Sequence, residues 1–588
     1  MSIFNRFRIV RTASTPPDWL LRVRLALTGL ILAALVLIVL KQGYQVALLR
    51  SLDWLLRALT YVIVAVAVVD IVLTMLFAPT FGDYIRRRWF DLALLVPIVA
   101  GLALGWPVLA IVVIRQVVVL GQAFTRSRRF AGVIGRIRLQ PVRLMALSFV
   151  ALIVAGTLFL TFPAATTDGR GAPPLDALFT AASATCVTGL IVRDTAVFFS
   201  RFGQTVILTL VQLGGLGIMT FYASIMVLLG RRLGPAGRQT MASVVEDSRD
   251  LDLAHTLRYI LSFTVLAEAG GTLVLFLRWL PDFARPAEAL YAAAFHSISA
   301  FCNAGFSTFS DSLIRYQGDV VVNLTFIVLI VVGGLGFSVV HELFNRQNLR
   351  VWFGRVLRRT ADAAPVRPST HALLVFRTSG VLLIIGMLLF FFLEYDNALA
   401  RLPLGAKLIA AAFQSVTPRT AGFNTVPFDA LRPSTLVAVM LLMFIGASPG
   451  GTGGGIKTTS LALLWLTFRN LVAGRSKIEV GGRTVPDDTV FRASAIFTGA
   501  AAVVAVAFGL LLMSETLPFQ NLLFETVSAF GTVGLSTGVT PHLSPVGKLV
   551  IIVLMYIGRL GPLTLALIVR SRQSRLQIQY PQARVMVG

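Results

Sequence analysis

The chain has 588 residues, of which 56% are hydrophobic and only 13% are charged. This composition excludes an ordinary soluble protein, because many apolar runs are long enough to cross a hydrocarbon core about 30 Å thick. The net charge of +25, from 52 basic and 27 acidic residues, would suggest a nucleic-acid partner in a soluble protein. Here the basic residues lie between the apolar runs, where they specify membrane topology instead. We therefore expect an all-α, multi-pass membrane protein that is surrounded by the lipid bilayer and has no nucleic-acid partner.

The basic residues form eight clusters that separate the predicted spans. Each cluster follows an even number of spans, so all eight can lie on the cytoplasmic side together with both chain termini. The clusters are residues 6–11, 22–24, 86–88, 126–143, 231–238, 346–367, 469–477 and 570–575.

Residues 1–141 form an N-terminal extension with four predicted membrane helices, which lie at about 25–40, 55–78, 90–104 and 107–122. Asp70 and Asp91 lie in the earlier helices and Arg115 in the last, an arrangement that resembles a voltage-sensor domain. A working sensor needs several arginines at three-residue spacing in its last helix, whereas Arg115 stands alone. The sequence therefore favours a packing or partner-docking role over voltage sensing.

Four copies of one structural unit follow the extension. Their closing glycines, Gly189, Gly305, Gly422 and Gly534, are separated by 116, 117 and 112 residues, and a fixed period of this kind indicates internal repeats. A ring of four short turns at membrane depth can present backbone carbonyls that replace the hydration shell of a cation. The sequence therefore predicts a cation filter. Its residues are Thr185, Cys186, Val187, Thr188 and Gly189; Cys302, Asn303, Ala304 and Gly305; Arg419, Thr420, Ala421 and Gly422; and Gly531, Thr532, Val533 and Gly534.

Each unit is predicted to contain an outer helix, a pore helix, the filter turn and an inner helix. The pore segments, such as 175–184 and 521–530, have about ten residues, so we expect re-entrant helices that end near the midplane. Their negative dipole ends would then favour a cation. The predicted repeats are 142–230, 254–345, 370–469 and 490–570, with a cytoplasmic tail at 571–588. The outer helices are expected at 142–162, 254–280, 370–394 and 490–513, and the inner helices at 203–230, 319–345, 433–469 and 545–570.

A second set of glycines lies 24 to 28 residues after the filter glycines, inside the inner helices. Close packing between helices would explain any one of them. Their recurrence at one place in all four units instead favours a shared role in the pore. They are Gly214, Gly333, Gly446 and Gly558.

The third inner helix is predicted to unwind at residues 446–459, because a run with so many glycines does not hold a helix. Unwound backbone inside a membrane is tolerated only where it lines water or is buried in protein. The position of this run below the filter predicts a gate, although Lys457 could instead extend to the cytoplasmic interface. No strand precedes the run, so a nucleotide-binding loop is not indicated. The gate residues are Gly450, Gly451, Thr452, Gly453, Gly454, Gly455 and Lys457, together with Arg559.

Arg559 occupies the position at which the first two units have Gly215 and Gly334. A charge at that depth is costly unless it faces a cavity or has a partner. We expect Arg559 to be an electrostatic barrier to cations, held by the carbonyls of the unwound run. A structural pin for that run is the alternative.

We expect other polar residues to have structural roles or to act at the outer mouth of the pore. His296 and Glu525 share one repeat position, nine residues before the filter glycine, where we favour a hydrogen-bonded structural role. Cys186 and Cys302 are expected to be reduced, packed thiols. No catalytic constellation or metal-ligand spacing indicates an enzyme. Three carboxylates that follow the filters either enrich cations at the outer mouth or are simply solvated; they are Asp194, Asp311 and Asp429.

These motifs resemble the TrkH/KtrB superfamily of bacterial potassium transporters, which includes the plant HKT proteins. The resemblance covers about residues 142–570 and is carried by the four filters, the interrupted third inner helix and the string Gly558-Arg559-Leu560-Gly561-Pro562. It implies a homodimer with one pore per protomer in the bacterial cytoplasmic membrane. It also implies a cytoplasmic ring of nucleotide-binding RCK subunits, similar to KtrA or TrkA, that drives the gate.

The resemblance further implies that potassium is the transported ion at the filter residues, with sodium as a candidate activator and no cofactor in this chain. The family associates serine in place of the first filter glycine with sodium preference, so Gly189 favours potassium. We therefore predict the channel-like, potassium-conducting subunit of a Ktr/Trk-type uptake system. The alternatives are a sodium-conducting member of the superfamily and a sodium- or proton-coupled carrier, since carriers also have repeats and broken helices. Carriers typically have inverted repeats, whereas these units run in one orientation.

Overall fold

The computed structural model describes residues 141–217, 253–344, 369–475 and 477–561, together with a few isolated positions before residue 70. Almost all of the predicted extension at 1–141 and the whole tail at 571–588 lie outside the described residues. The ends predicted for the first and fourth inner helices lie outside them as well.

The described residues form an all-α structure in which a long outer helix, a short helix and an inner helix follow one another four times. The outer helices are α1 (Pro141–Leu160), α4 (Leu253–Trp279), α8 (Thr370–Glu394) and α12 (Asp487–Ser514). The short helices are α2 (Pro174–Thr185), α5 (Pro286–Phe301), α9 (Leu404–Val416) and α13 (Phe519–Gly531). The inner elements are α3 (Arg201–Gly215), α6 (Val320–Gly334) with α7 (Phe337–Phe344), α10 (Pro433–Phe444) with α11 (Thr458–Val472), and α14 (Pro545–Leu560). A two-stranded hairpin, β1 (Glu479–Val480) with β2 (Arg483–Thr484), pairs Glu479 with Thr484 before α12.

Helix length separates the elements that can cross a membrane from those that cannot. Among the described residues, three helices are long and apolar enough to cross, namely Tyr259–Asp282, Thr370–Glu394 and Asp487–Ser514. The short helices have 12 to 16 residues. At 1.5 Å per residue they are about 18 to 24 Å long, less than the hydrocarbon thickness of about 30 Å. They are therefore too short to cross the hydrocarbon core on their own.

Burial follows the pattern of a protein surrounded by lipid. The outer helices expose large apolar side chains, including Leu266 and Val506. The fully buried side chains lie around the short helices, where Phe179, Phe295 and Phe524 each lie ten residues before a turn glycine. Apolar residues face outward because hydrocarbon, and not water, surrounds these helices.

The second inner helix is broken where the sequence predicts one continuous helix. Instead of one helix over 319–345, α6 and α7 meet at a bend of 108°. Gly336 lies in the break with a φ of +93°, a conformation that glycine adopts without steric cost. Gly217 and Gly561, at the equivalent place after α3 and α14, have φ values of +74° and +84°. The last glycine of each Gly-x-Leu-Gly string therefore interrupts or ends the inner helix.

Each outer helix, or the segment just after it, is tied to the start of the inner helix in its own unit. In the second unit Arg278 Nε donates to Asp319 Oδ2 at 2.6 Å, and Asp319 in turn caps α6. In the fourth unit Glu515 accepts from the N–H and the hydroxyl of Ser544, the N-cap of α14, at 3.1 and 2.5 Å. The other two pairs are Ser200 with the Ala164 carbonyl and Glu394 with the Arg432 N–H.

An ion-pair network joins the first unit to the last. Asp176, at the start of α2 and outside the spanning helices, accepts from Lys548 Nζ of α14 and from Arg193 Nε, both at 2.8 Å. Its side chain is only 6% exposed. Burial by itself would raise the pKa of Asp176, but the hydrogen bonds from Lys548 and Arg193 outweigh burial and lower it. The charged carboxylate therefore stabilises the joint between units that are far apart in sequence.

We expect Asp176→Asn to lower the free energy of unfolding by about 2 kcal/mol, because hydrogen bonds to charged groups are lost and Lys548 keeps a poorly solvated charge. Denaturant titration of the detergent-solubilised protein measures the change. Because the folded-state pKa lies below the usual 3.8, the stabilisation is present above that pH and is lost as the pH falls through the folded value. Asp311→Asn is the control, since its ion pair with Arg315 is exposed and should contribute below about 1 kcal/mol. Equal effects of the two substitutions would contradict the role given to Asp176.

Candidate functional site

The four turns predicted as a filter share one backbone conformation. In each turn the residue two positions before the closing glycine is left-handed, an uncommon conformation for a side chain with a Cβ. Such backbone costs of order 1 kcal/mol or more and persists only where the surroundings enforce it. The left-handed residues are Val187, Asn303, Thr420 and Thr532, with φ from +51° to +73°. The closing glycines, Gly189, Gly305, Gly422 and Gly534, have φ from +69° to +93°.

The four turns meet in a closed ring. A Cβ on each closing glycine would come within 3.0 Å of a carbonyl oxygen in the next turn, and that carbonyl always belongs to the residue just before the neighbouring glycine. The pairs are Gly189 with Ala304, Gly305 with Ala421, Gly422 with Val533 and Gly534 with Thr188. Because the fourth turn contacts the first, the backbone alone encloses a central axis. We call this arrangement the glycine ring.

An open cavity of about 320 Å³ lies on one side of the glycine ring and contacts all four of its glycines. Asp194 and Asp311 line this cavity, whereas Asp429 is not among the described residues that line it. Asp311 forms an ion pair with Arg315 at 2.7 Å, so its charge is compensated. Of the three expected carboxylates, Asp194 is thus the one that lines the cavity and forms no ion pair with a described residue.

His296 and Glu525 hold the segments that follow two of the turns. His296 Nε2 is 2.9 Å from Ser307 Oγ, and Glu525 accepts from the hydroxyl groups of Ser536 and Thr540. Ser307 and Ser536 each lie two residues after a closing glycine. Both side chains are thus hydrogen-bonded, as the sequence analysis expected, and they fix where the chain leaves the ring.

Close packing accounts for three of the four inner-helix glycines. A Cβ on Gly214, Gly333 or Gly558 would overlap the carbonyl oxygen of the residue four positions before the turn glycine of the same unit. Close packing, which the sequence analysis gave as the alternative for a single glycine, is therefore what the structure has at these three positions. Gly446 differs, because its Cβ would meet the Gly454 carbonyl of the interrupted helix. Cys302 packs against Gly215, and both it and Cys186 are buried free thiols, as expected.

The third inner helix is interrupted between α10 and α11, and we call residues 445–457 the glycine loop. The loop is held first by its own backbone, where Gly446 N donates to Ile456 O at 2.8 Å. It also completes the broken second inner helix, because Ser448 N donates to Gly334 O at 3.0 Å and Phe337 N donates to Gly450 O at 3.2 Å. Unwound backbone at this depth is thereby hydrogen-bonded to protein.

The glycine loop lies against the side of the ring opposite the cavity. Gly454 N donates to Thr532 Oγ1 at 3.0 Å, and Thr452 Oγ1 donates to Phe301 O at the end of α5 at 3.3 Å. A Cβ on Gly453 would overlap Thr420 Oγ1. The loop therefore contacts three of the four units directly beside their turns.

Arg559 connects the loop to the remaining unit. Its guanidinium donates to the carbonyls of Thr452 and Gly214, and to Gly215 O at 3.3 Å. Within the described residues, the hydrogen-bond partners of Arg559 are all backbone carbonyls. Lys457 Nζ donates to Gly453 O at 2.8 Å, so Lys457 braces the loop itself. The expectation that carbonyls of the loop hold Arg559 agrees with this geometry.

The backbone of Arg419 lies in the third turn, but its side chain points elsewhere. Its guanidinium reaches away from the ring to Ser379 of α8, with Nη2 3.2 Å from Ser379 Oγ. Only the backbone of Arg419 thus belongs to the turn.

Sequence reasoning also missed the break at Gly336, although the glycine that recurs three positions after Gly214, Gly333 and Gly558 was a usable signal.

Comparison with known proteins identifies transport proteins. The sequence profile of the TrkH family, described as a cation transport protein, matches residues 139–576. The Ktr system potassium uptake protein B of Bacillus subtilis is 37% identical over 459 residues, which are 78% of this chain and 98% of that protein. Its namesake from Vibrio alginolyticus is 36% identical and covers 76% of this chain and 94% of its own length. The potassium/sodium uptake protein NtpJ of Enterococcus hirae is 35% identical, with 77% and 98% covered.

Among solved structures, the potassium transporter TrkH from Vibrio parahaemolyticus shares the fold, with a TM-score of 0.60 over 82% of this chain and 96% of that chain. Its sequence identity is 20%, so this likeness supports the fold alone. The family match and the relatives confirm the resemblance that was based on the four turns and the interrupted helix. The chain therefore belongs to the TrkH family of cation transport proteins and is a transporter rather than an enzyme.

Proposed function

We propose that the chain is the ion-translocating subunit of a potassium uptake system and that ions pass through the glycine ring. The observation that carries the proposal is the closed ring itself, in which the carbonyl oxygen before each glycine lies against the next glycine. Backbone carbonyls in such a ring can replace the hydration shell of a monovalent cation. The relatives named as potassium uptake proteins, which this chain covers nearly in full, support potassium as the ion.

The ring has glycine in all four closing positions, and we propose that this favours potassium over sodium. Ion selectivity in a carbonyl filter follows from site size and from the number and field strength of the carbonyls. A second candidate function is sodium conduction, which the relative named as a potassium/sodium uptake protein supports. The two candidates differ only in the ion ratio and share the pathway.

We further propose that the glycine loop and Arg559 close the pathway. The loop lies against the ring, and Arg559 places a positive charge there that forms no ion pair with a carboxylate of the described residues. A cation passing about 6 Å from that charge, at an effective dielectric constant of about 20, meets a repulsion of about 3 kcal/mol. Both features oppose permeation until the loop moves.

The assembly is part of the proposal. We propose a homodimer in a bacterial cytoplasmic membrane, with both termini cytoplasmic and a cytoplasmic RCK-type ring that moves the glycine loop. Two relatives are named as proteins B and D of Ktr potassium uptake systems, which supports a partner of this kind. Any gating nucleotide would then bind the partner, and this chain would hold potassium alone, with sodium as a candidate activating ion.

The test of this function is cation flux into liposomes that contain the purified protein, at a clamped membrane potential. We expect saturable potassium and rubidium flux that exceeds sodium and lithium flux and needs no second ion gradient. Flux that depends on a sodium or proton gradient would instead identify a coupled carrier. Addition of the cytoplasmic partner ring distinguishes a closed gate from an absent pathway, because only a gated pathway gains flux.

Gly189→Ser tests the ring. A serine Cβ there would lie 2.5 Å from Ala304 O and would have to hold a φ of +93°, so the ring must widen or distort. We expect the potassium-to-sodium flux ratio to fall about tenfold, which corresponds to about 1.4 kcal/mol. Gly509→Ser on α12 is the matched control, because its Cβ would meet open space. An unchanged ratio in Gly189→Ser would count against a filter at this turn.

Arg559→Ala tests the barrier. Removing the charge should raise basal rubidium flux by at least about tenfold, since a repulsion of about 3 kcal/mol is relieved. Arg492→Ala is the control, because Arg492 is exposed and pairs with Asp488 on α12. Loss of the folded protein in Arg559→Ala alone would favour the structural pin over the barrier. Arg559→Lys then separates charge from hydrogen bonding, since it keeps the charge and loses the branched guanidinium contacts.

A further inference from the structure

The left-handed residues of the four turns differ in the chemistry of their side chains. Val187, Asn303, Thr420 and Thr532 are equivalent in the repeat, and all are fully buried. Val187 offers a methyl group, whereas Thr420 and Thr532 offer hydroxyl groups. In the amide orientation that satisfies both of its polar atoms, Asn303 accepts from Thr420 Oγ1 at 3.2 Å and donates to Ala300 O and Ile330 O. The Thr420 hydroxyl is thereby engaged within the ring.

The Thr532 hydroxyl has a different partner, which belongs to the loop. Its Oγ1 accepts from Gly454 N at 3.0 Å, and the hydrogen bond is buried. Within the described residues, this hydrogen bond joins a side chain of the four turns to the backbone of the glycine loop. The fit is close, because a Cβ on Gly454 would lie 2.5 Å from Thr532 Oγ1.

We propose that Thr532 is a positioning residue that holds the glycine loop against the ring in the closed state. The inference rests on the proposed function and deepens it by assigning the contact through which the ring and the gate act on each other. When the loop moves away from the ring, Gly454 N donates to water instead of to Thr532 Oγ1. The Thr532 hydroxyl then loses its partner in the loop. The hydrogen bond therefore favours the closed state over the open one.

The energetic argument depends on burial. A buried N–H that loses its acceptor destabilises the structure, whereas an N–H that is exposed to water finds a new acceptor there at almost no cost. Removing the hydroxyl thus raises the free energy of the closed state and leaves the hydrated open state nearly unchanged. A loss of about 1 kcal/mol multiplies the open population about fivefold.

The chain itself shows that the hydroxyl is not needed for the backbone conformation of a turn. Val187 holds the equivalent position with a φ of +57°, close to the +51° of Thr532. Valine and threonine have the same branched shape, so Thr532→Val removes the hydrogen bond and retains the backbone geometry. The substitution therefore isolates the hydroxyl.

The experiment compares Thr532→Val, Thr532→Ser and the parent protein in liposomes with two readouts. The first is hydrogen–deuterium exchange of the peptide that spans the glycine loop, and the second is basal rubidium flux. We expect Thr532→Val to increase both about fivefold. Thr532→Ser keeps the hydroxyl and should restore parent values, which a merely structural role of side-chain bulk would not do. Thr209→Val is the control, because its hydroxyl donates to Thr205 O on the exposed face of α3.

Exchange in Thr532→Val that equals the parent value would overturn the inference. Because exchange reports on the loop without any ion movement, it remains informative even if flux is absent and the proposed function fails. If Thr532→Val does not fold, Gly454→Ala tests the same contact from the loop, since its Cβ would displace the loop from Thr532. Faster exchange of the loop in Gly454→Ala would support the inference, and unchanged exchange would overturn it.

Discussion

The structure depends on the close approach of backbone to backbone where the four repeated units meet. Where the turns meet, the carbonyl oxygen before each glycine fills the space that a Cβ on the neighbouring glycine would need. Carbonyls can surround a dehydrated ion only if no side chain stands between them. The same constraint recurs beside the ring, where Gly214, Gly333 and Gly558 admit the carbonyl ends of the short helices. Two successive layers of glycine contacts therefore set how closely the four units approach one another.

The two interruptions of the inner helices depend on each other. Gly334 O, left without a helical partner at the end of α6, accepts from Ser448 N of the glycine loop, and Gly450 O of the loop accepts from Phe337 N at the start of α7. Each break supplies the donors or acceptors that the other lacks. This reciprocity leaves the unwound backbone hydrogen-bonded to protein, as backbone away from water must be. A displacement of the loop must therefore be shared with the second unit.

The sequence was informative wherever a local pattern decides the structure. The order of long and short helices follows from hydropathy and length, and the interruption of the third inner helix follows from the glycines between Phe444 and Thr458. The break at Gly336 was missed because its neighbours are apolar, so hydropathy does not change there. The pairing of Asp176 with Lys548 and the direction of the Arg419 side chain depend on contacts between distant segments. No local pattern carries that information.

Because one chain supplies all four parts of the ring, the ring has a seam where its first and last parts meet without a covalent link. That seam lies between α2 and α14, where Asp176 pairs with Lys548. During synthesis the first three units leave the ribosome with an open side, and the enclosure is completed only when α14 docks. A chain that stops before this helix thus lacks the ion pair that joins its first unit to its last. The order of the units along the chain thereby makes the joining of this seam one of the last steps in assembling the described residues.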